Sequence, residues 1–341
     1  IFGFWPYTLS HYDHANMMVL FWVPLTLLFL NKLILNQGGK WLVVLLAALS
    51  LAMIGITRWQ LLIMSSPILI GYCIYLFVQN EQARNWATVS KLLAATALGA
   101  VLMAPLAAPL VIDQFVQDFP QDVLLDEAIW GRTDLLAYFV PSIHHGLWQK
   151  WVAPIYEAFV VNQLYTPYLG YVTLGLAMAG VVSRWKRSWI WLILALLFAV
   201  LALGPELAIN GRSYAAVPMP YRLVEEFFLM RLIRRPDRLN IFLGLPLAML
   251  AGWGLQAIAS RIEHPTSRLL LAVGSMVLLL FAYWPVPFAT TEADIPDWYA
   301  EATADGAQFT TFDIPVNDRS YDKWYMEYQT EHERPIATGH V

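Results

Sequence analysis

Apolar residues gather into eight long runs, at 15–35, 41–57, 61–78, 92–112, 167–182, 188–203, 239–260 and 269–288, separated mostly by short polar stretches. Each run approaches the roughly 20 residues a helix needs to cross a hydrocarbon core. A spanning segment must satisfy its own backbone polar groups, and continuous apolar runs of this length suit helices far better than alternating barrel strands. The pattern predicts an all-α transmembrane bundle of about eight spanning helices over residues 1–288. Runs 41–57 and 167–182 are short, so tilt or local thinning of the bilayer is expected. After residue 288 charge density rises, and Trp298, Tyr299, Trp324 and Tyr325 stand among acids, prolines and turn residues. A short helix over 295–304, a strand over 309–314 and a helix or turn over 321–330 predict the start of a small α/β extramembrane domain at 289–341. Both ends of the chain read as cut.

Basic residues in the short loops set the expected orientation. Lys32 and Lys40, Arg84 and Lys91, Arg184 with Lys186 and Arg187, and Arg261 and Arg268 fall in alternate connections, which belong on the cytoplasmic side. The N-terminal stub, the connection 113–166, the loop 205–235 and the tail then share the outer side. The connection 113–166 interleaves Trp130, Tyr138, Phe139, Trp148, Trp151, Tyr156 and Phe159 with charges and prolines. Such aromatics favour the headgroup level, so the connection reads as one or two interfacial helices or as a folded loop packed on the bundle.

Composition sharpens the picture. The chain is 58% hydrophobic and 13% charged, half the charge of a soluble domain. A net charge of −4 leaves no overall basic field for nucleic acid. The lone cysteine, Cys73, lies in an apolar run without a disulfide or metal partner.

No Asp, Glu, Lys, Arg or His occupies the centre of any run, which weighs against an ion-coupled transporter. The sharpest polar feature is Arg231-Leu-Ile-Arg234-Arg235-Pro236-Asp237-Arg238, which breaks the positive-inside expectation at the outer end of run 239–260. Pro236 suits a first helical turn and Asp237 complements the dipole, so a helix begins there. Its N-terminus with Arg234, Arg235, Arg238 and Arg222 of the same loop makes a candidate phosphate site at headgroup depth. Alternatively these arginines snorkel to bulk lipid phosphates or pair with Glu225 and Glu226. His11, Asp13 and His14, just outside run 15–35, form a polar cluster able to hold a divalent metal or to set up a general base, or else they cap the helix. Three-residue spacing puts the histidines on one face if the stretch is helical. His144-His145 is a weaker version of the same pattern. Glu206, after Gly204-Pro205, is a candidate acid or base by position, and Asn210-Gly211 reads as a turn.

Taken in order, Gly204-Pro205, Asn210-Gly211, Pro218-Met-Pro220-Tyr221, Arg235-Pro236-Asp237-Arg238 and Leu250-Ala-Gly252-Trp-Gly254-Leu255 resemble the YfhO-like bacterial membrane proteins of the GT-C glycosyltransferase superfamily. His14-Ala-Asn16, Asp134-Leu-Leu-Ala-Tyr138 with Pro141, and Tyr168-Leu-Gly170 agree, so the resemblance runs nearly end to end through short, degenerate motifs. It implies a multi-pass protein of the bacterial cytoplasmic membrane with an extracytoplasmic C-terminal domain. The implied reaction takes a sugar from a polyprenyl-phosphate donor to a glycan, lipid or protein acceptor on the outer face. The catalytic carboxylate is expected in a first external loop upstream of Ile1, and Asp13 departs from the small residue expected at its position. A non-catalytic flippase or envelope-assembly scaffold is the competing expectation.

Overall fold

The computed structural model describes residues 1–11, 14–116, 127–159, 165–227, 230, 233, 235–284, 294–304, 310–315 and 319–337. Asp13, Arg231, Arg234, Pro285 and Pro287 lie outside this set. The chain divides into two compact units, 1–287 and 288–341.

The first unit is a helical bundle. Its helices are α1 (Trp22–Ile34), α2 (Lys40–Thr57), α3 (Trp59–Gln79), α4 (Trp86–Val116), α5 (Gln149–Glu157), α6 (Tyr171–Ser183), α7 (Trp185–Ala202), α8 (Asn240–Ala259) and α9 (Pro265–Ala282). Among the described residues, six helical stretches are long and apolar enough to cross a membrane, and two shorter apolar ones, Trp41–Thr57 and Tyr171–Ser183, accompany them. Pro67, Pro105 with Pro109, and Pro246 lie inside α3, α4 and α8, and each helix continues through them. Run 15–35 is interrupted: a short helix, Ala15–Met18, gives way at Val19 before α1.

Apolar side chains face outward along much of the surface, including Leu42, Leu45 and Leu49 of α2, Leu93, Val101 and Leu106 of α4, and Leu269, Leu270 and Met276 of α9. Continuous exposed patches of that kind are unfavourable in water and natural against acyl chains. Inside, α6 lies along α8 at backbone contact. A Cβ added to Gly180 would stand 2.0 Å from the Leu250 carbonyl oxygen, and one added to Gly254 would stand 1.8 Å from that of Leu176. Small residues at a crossing let helices gain dispersion contacts where no hydrophobic drive separates them from lipid. The core gathers around Trp5, Trp191, Phe198, Ile241 and Phe242.

The ends of the bundle differ. At one, the connections are short and tied by Lys91 to Asn36 (2.5 Å) and Gln79 to the Lys186 carbonyl (3.1 Å). At the other, the loop-rich end, the N-terminal turns, the α2–α3 link, the α4–α6 connection and the α7–α8 loop meet. The α4–α6 connection carries α5, whose Val152 and Tyr156 are buried while Trp151 is exposed. The α7–α8 loop contains a hairpin absent from an all-α expectation, β1 (Leu207–Ile209) paired antiparallel with β2 (Arg212–Tyr214). Asn210 and Gly211 turn it at φ 50° and 77°, the left-handed pair a tight two-residue hairpin demands.

In the second unit, α10 (Asp297–Ala304) and α11 (Arg319–His332) are helical. Tyr299 stacks on His332 at 5.2 Å between ring centroids and lies at 4.8 Å from the Tyr328 ring. The strand expected over 309–314 is a single bridge between Thr311 and Ile336 among the described residues. Pro315 follows too closely for a longer ladder, since proline has no N–H to add.

Candidate functional site

The loop-rich end is organised by buried polar groups from distant parts of the sequence. Asn240, fully buried at the start of α8, takes the Trp5 indole N–H on its carbonyl (2.8 Å) and donates from its side chain to the Thr133 hydroxyl (2.8 Å). The Tyr138 hydroxyl lies 2.9 Å from Asn240 Oδ1 and 2.8 Å from the Ala199 carbonyl. The stub, the long connection, α7 and α8 are thereby fixed together. Asp134 does the same for the hairpin: its carboxylate accepts from the N–H groups of Leu136 (2.9 Å), Asn210 (3.0 Å) and Gly211 (2.8 Å).

Glu206 sits 3.3 Å from Arg132 and 3.6 Å from Arg222, and accepts from the Ser213 hydroxyl at 2.8 Å. Arg222 also donates to the Pro205 carbonyl (2.8 Å). The structure thus engages the candidate acid or base and one candidate phosphate ligand with each other. Arg222 pairs with this carboxylate rather than with the Glu225 or Glu226 beside it in sequence, because the turn Pro220–Leu223 brings it over Pro205.

At the candidate phosphate site, Pro236 takes the first position of a 3-10 turn, Pro236–Leu239, that leads into α8 at Asn240. The expected helix start is therefore one turn of 3-10 helix. The Asp237 N–H is not turned toward a ligand, because it donates to the Gly131 carbonyl at 2.8 Å. Nor does Asp237 serve the dipole alone. It holds Arg235 through two bonds, Oδ2 to Nη2 at 2.6 Å and Oδ1 to Nε at 3.3 Å. The Arg235 guanidinium also lies over the rings of Trp130 (4.7 Å) and Tyr165 (5.3 Å). Burial works against its charge, yet the adjacent Asp237 carboxylate outweighs it and raises its pKa further. Its stem passes Gly131 so closely that a Cβ there would meet Arg235 Cγ at 2.6 Å.

The histidines of the stub converge on the same place without sharing a helix. His11 follows the short helix Pro6–Leu9 and His14 precedes Ala15–Met18. His11 stacks on Tyr165 at 3.6 Å, and its Nδ1–H donates to the Tyr7 carbonyl at 2.8 Å, which leaves the proton off Nε2 in the neutral ring. His14 Nδ1 lies 3.4 Å from the Tyr165 hydroxyl, with 6.1 Å between the two imidazole centroids. Among the described residues, no group of three His, Cys, Asp or Glu side chains could hold a metal ion. His145 stands elsewhere, its Nε2 donating to the Phe281 carbonyl (2.8 Å) while Nδ1 accepts from the Leu147 N–H (3.2 Å).

Arg58 is the cation that sequence inspection missed. It forms the whole link between α2 and α3, and donates to Asn16 Oδ1 at 3.1 Å. A single arginine between two apolar runs, at the end that the loop charges predict to be the outer one, was the available signal. Tyr7, buried in the stub, lies within the electrostatic reach of Arg235, Arg238, Asp237 and Tyr165. A small cavity beside the cluster is lined by Arg132, Asp134, Tyr156, Phe159, Tyr165 and Asp237. Comparisons with protein-family models, curated proteins and solved structures return no match.

Proposed function

We propose that this chain spans a bacterial cytoplasmic membrane about eight times, with the loop-rich end and the C-terminal unit outside, and belongs to a GT-C-like transferase using a polyprenyl-phosphate sugar. The reading is carried by one observation, a guanidinium cluster at the start of α8 where an apolar bundle free of mid-helix charge ends. Guanidiniums at headgroup depth hold phosphate, and the centres of the apolar runs offer no Asp, Glu, Lys, Arg or His to work with deeper down.

In the reaction, the acceptor hydroxyl oxygen bonds to the sugar's anomeric carbon as the bond from that carbon to the phosphate oxygen breaks. The electron pair stays on the phosphate, whose charge goes from −1 to −2, and the acceptor's proton passes to a carboxylate base. Fixed cations near the phosphate favour the more charged state, so they act on the barrier rather than on binding alone. The test is transfer from a polyprenyl-phosphate sugar by the full-length protein in vesicles. Replacing both Arg235 and Arg238 with Gln is expected to abolish it, and undiminished transfer would sink the reading.

A non-catalytic handler of lipid-linked glycans has its own support. Among the described residues, three carboxylates at the loop-rich end are engaged, Asp237 by Arg235, Glu206 by Arg132 and Arg222, and Asp134 by three backbone N–H groups. Movement of the labelled lipid across vesicles without sugar transfer would identify that protein.

A further inference from the structure

Cations also gather at the other end of the bundle, where the connections are short. Gln79, at the end of α3, donates to the Lys186 carbonyl at 3.1 Å, which brings the α3–α4 link against the start of α7. Arg84 of that link folds back on the last turn of α3, donating to the Phe77 (2.7 Å) and Val78 (2.8 Å) carbonyls. Arg84 is thus brought to one junction with Arg184, Lys186 and Arg187, and Glu81 is the only carboxylate in the two links. Among the described residues none of the four cations makes an ion pair, and Arg84, Lys186 and Arg187 are exposed. Exposed tryptophans open the helices at this end, Trp41 in α2, Trp86 in α4 and Trp185 in α7, as side chains at headgroup level do.

An apolar groove leads away from the junction. α3 and α7 are antiparallel neighbours: Gln79 meets Lys186, and further along both helices a Cβ added to Gly71 would stand 3.4 Å from the Leu194 side chain. The rings of Tyr72 and Trp191, 5.6 Å apart, close the inner side of this contact. On α3, Ile70, Ile74 and Val78 recur every four residues, and on α7, Lys186, Ile193 and Leu197 follow at steps of seven and four, so each set shares a helix face. The five apolar side chains are all exposed. Because the helices run in opposite directions, both faces open to the same side of the contact, with Lys186 at the head of one of them.

We propose that this groove and the junction above it bind an anionic glycerophospholipid, its phosphate among Arg84, Arg184, Lys186 and Arg187 and its acyl chains along Ile74, Val78, Ile193 and Leu197. Basic pockets between membrane helices on the cytoplasmic side hold anionic headgroups, and the loop charges put this end on that side. A water-soluble acidic partner satisfies the cations and leaves the apolar faces uncovered, whereas a lipid satisfies both. The tendency of Lys and Arg to stay on the cytoplasmic side accounts for the presence of these residues, but not for their gathering over a groove between two helices. The inference rests on the membrane-spanning part of the proposed function and not on the transferase part. Sugar transfer without lipid selection rejects this site and keeps the transferase, and selection without transfer does the reverse.

Full-length protein in detergent is titrated with phosphatidylglycerol and with phosphatidylcholine of matched acyl chains, and bound lipid is counted by native mass spectrometry. Phosphatidylglycerol is expected to bind at least about thirtyfold tighter, the weight of two basic residues at an anionic surface, and Lys186→Gln combined with Arg187→Gln to remove most of that difference. Lys150→Gln combined with Lys323→Gln takes the same net charge from outside the junction and is expected to change the affinity by less than about twofold. Ile193→Trp, which fills the groove from an exposed position, is expected to weaken both lipids. Glycerol phosphate, the headgroup without its chains, is expected to compete weakly. Equal affinity for the two lipids overturns the proposal, as does wild-type phosphatidylglycerol affinity in both the folded Lys186→Gln, Arg187→Gln protein and the folded Ile193→Trp protein. A loss just as large in the Lys150→Gln, Lys323→Gln protein reduces the effect to net charge and overturns it too. Competition by glycerol phosphate as strong as the lipid's assigns the cations to a water-soluble anion, with the same consequence.

Discussion

The Arg235–Asp237 pair offers the most direct test of how the loop-rich end is built. Asp237 is 4% exposed at its side chain and Arg235 15%, with Nη2 and Oδ2 at 2.6 Å. Removing one partner strands a buried charge, a loss of about 3–5 kcal/mol for a fully buried pair. Two features soften the loss when Asp237 is removed: Arg235 keeps some solvent and keeps the faces of Trp130 and Tyr165, each ring worth about 0.5–1 kcal/mol. Asp237→Leu is therefore expected to destabilise by about 2–4 kcal/mol, and Arg235→Met by a similar amount, because it leaves the carboxylate alone. The double replacement leaves no charge behind, so it should be less damaging than the sum of the singles, with a coupling energy of about 2 kcal/mol or more. Unfolding in mixed micelles titrated with SDS and followed by tryptophan fluorescence gives the four values. A coupling below about 0.5 kcal/mol, the range of a solvated surface pair, would refute the view that Asp237 holds Arg235 in place.

Other consequences are as specific. Asp134→Ala leaves the amides of Asn210 and Gly211 without their acceptor and should destabilise by about 2–4 kcal/mol, with protease nicking near residue 210 as a local readout; wild-type stability and nicking would contradict the clamp. Gly254→Ala forces a Cβ toward the Leu176 carbonyl and should destabilise by about 1–3 kcal/mol, whereas Gly252→Ala, with open space around it, should be neutral or slightly stabilising in the same unfolding assay. Burial, which outweighs the opposing charge of Arg222, raises the Glu225 carboxyl pKa above its ordinary value. The folded state then binds more protons than the unfolded one just above pH 4.5, so stability falls as pH rises through that window. Glu225→Gln should stabilise the protein at neutral pH and flatten that slope, and an unchanged pH profile would argue against it.

The bundle was legible because length and apolar content are read along the chain: run 61–78 became α3 (Trp59–Gln79) and run 188–203 became α7 (Trp185–Ala202). The break at Val19 was not, since every residue around it is as apolar as the helices on either side. The hairpin was half visible, as Asn210-Gly211 announces a turn, but strands of three residues give no alternation to recognise. At the candidate site, sequence drew attention to Arg222, Glu206, Arg235 and Arg238 because they cluster or break a charge rule. It had no means of separating those that pair from those that do not. Partners such as Asp134 and Gly211 lie far apart in sequence, and Asp237 beside Arg235 looked like a helix cap until the side chains met.

That sorting of charges carries the functional argument further than the number of arginines does. In the proposed orientation, every arginine at the loop-rich end opposes the tendency of Lys and Arg to stay on the cytoplasmic side. Arg132, Arg222 and Arg235 have a carboxylate close by, Glu206 for the first two and Asp237 for the third, so their retention is explained by holding loops to helices. Arg58, Arg212 and Arg238 have no such partner among the described residues. Snorkelling to bulk lipid phosphate would place them with their heads in solvent; Arg212 is exposed, whereas Arg58 and Arg238 are partly buried, Arg58 bonded to Gln60 and to the exposed Asn16 and Arg238 to the Ile233 carbonyl. If a polyprenyl-phosphate donor binds among these arginines, anionic lipid added in excess competes poorly with it, and equal competition would assign them to bulk headgroups instead.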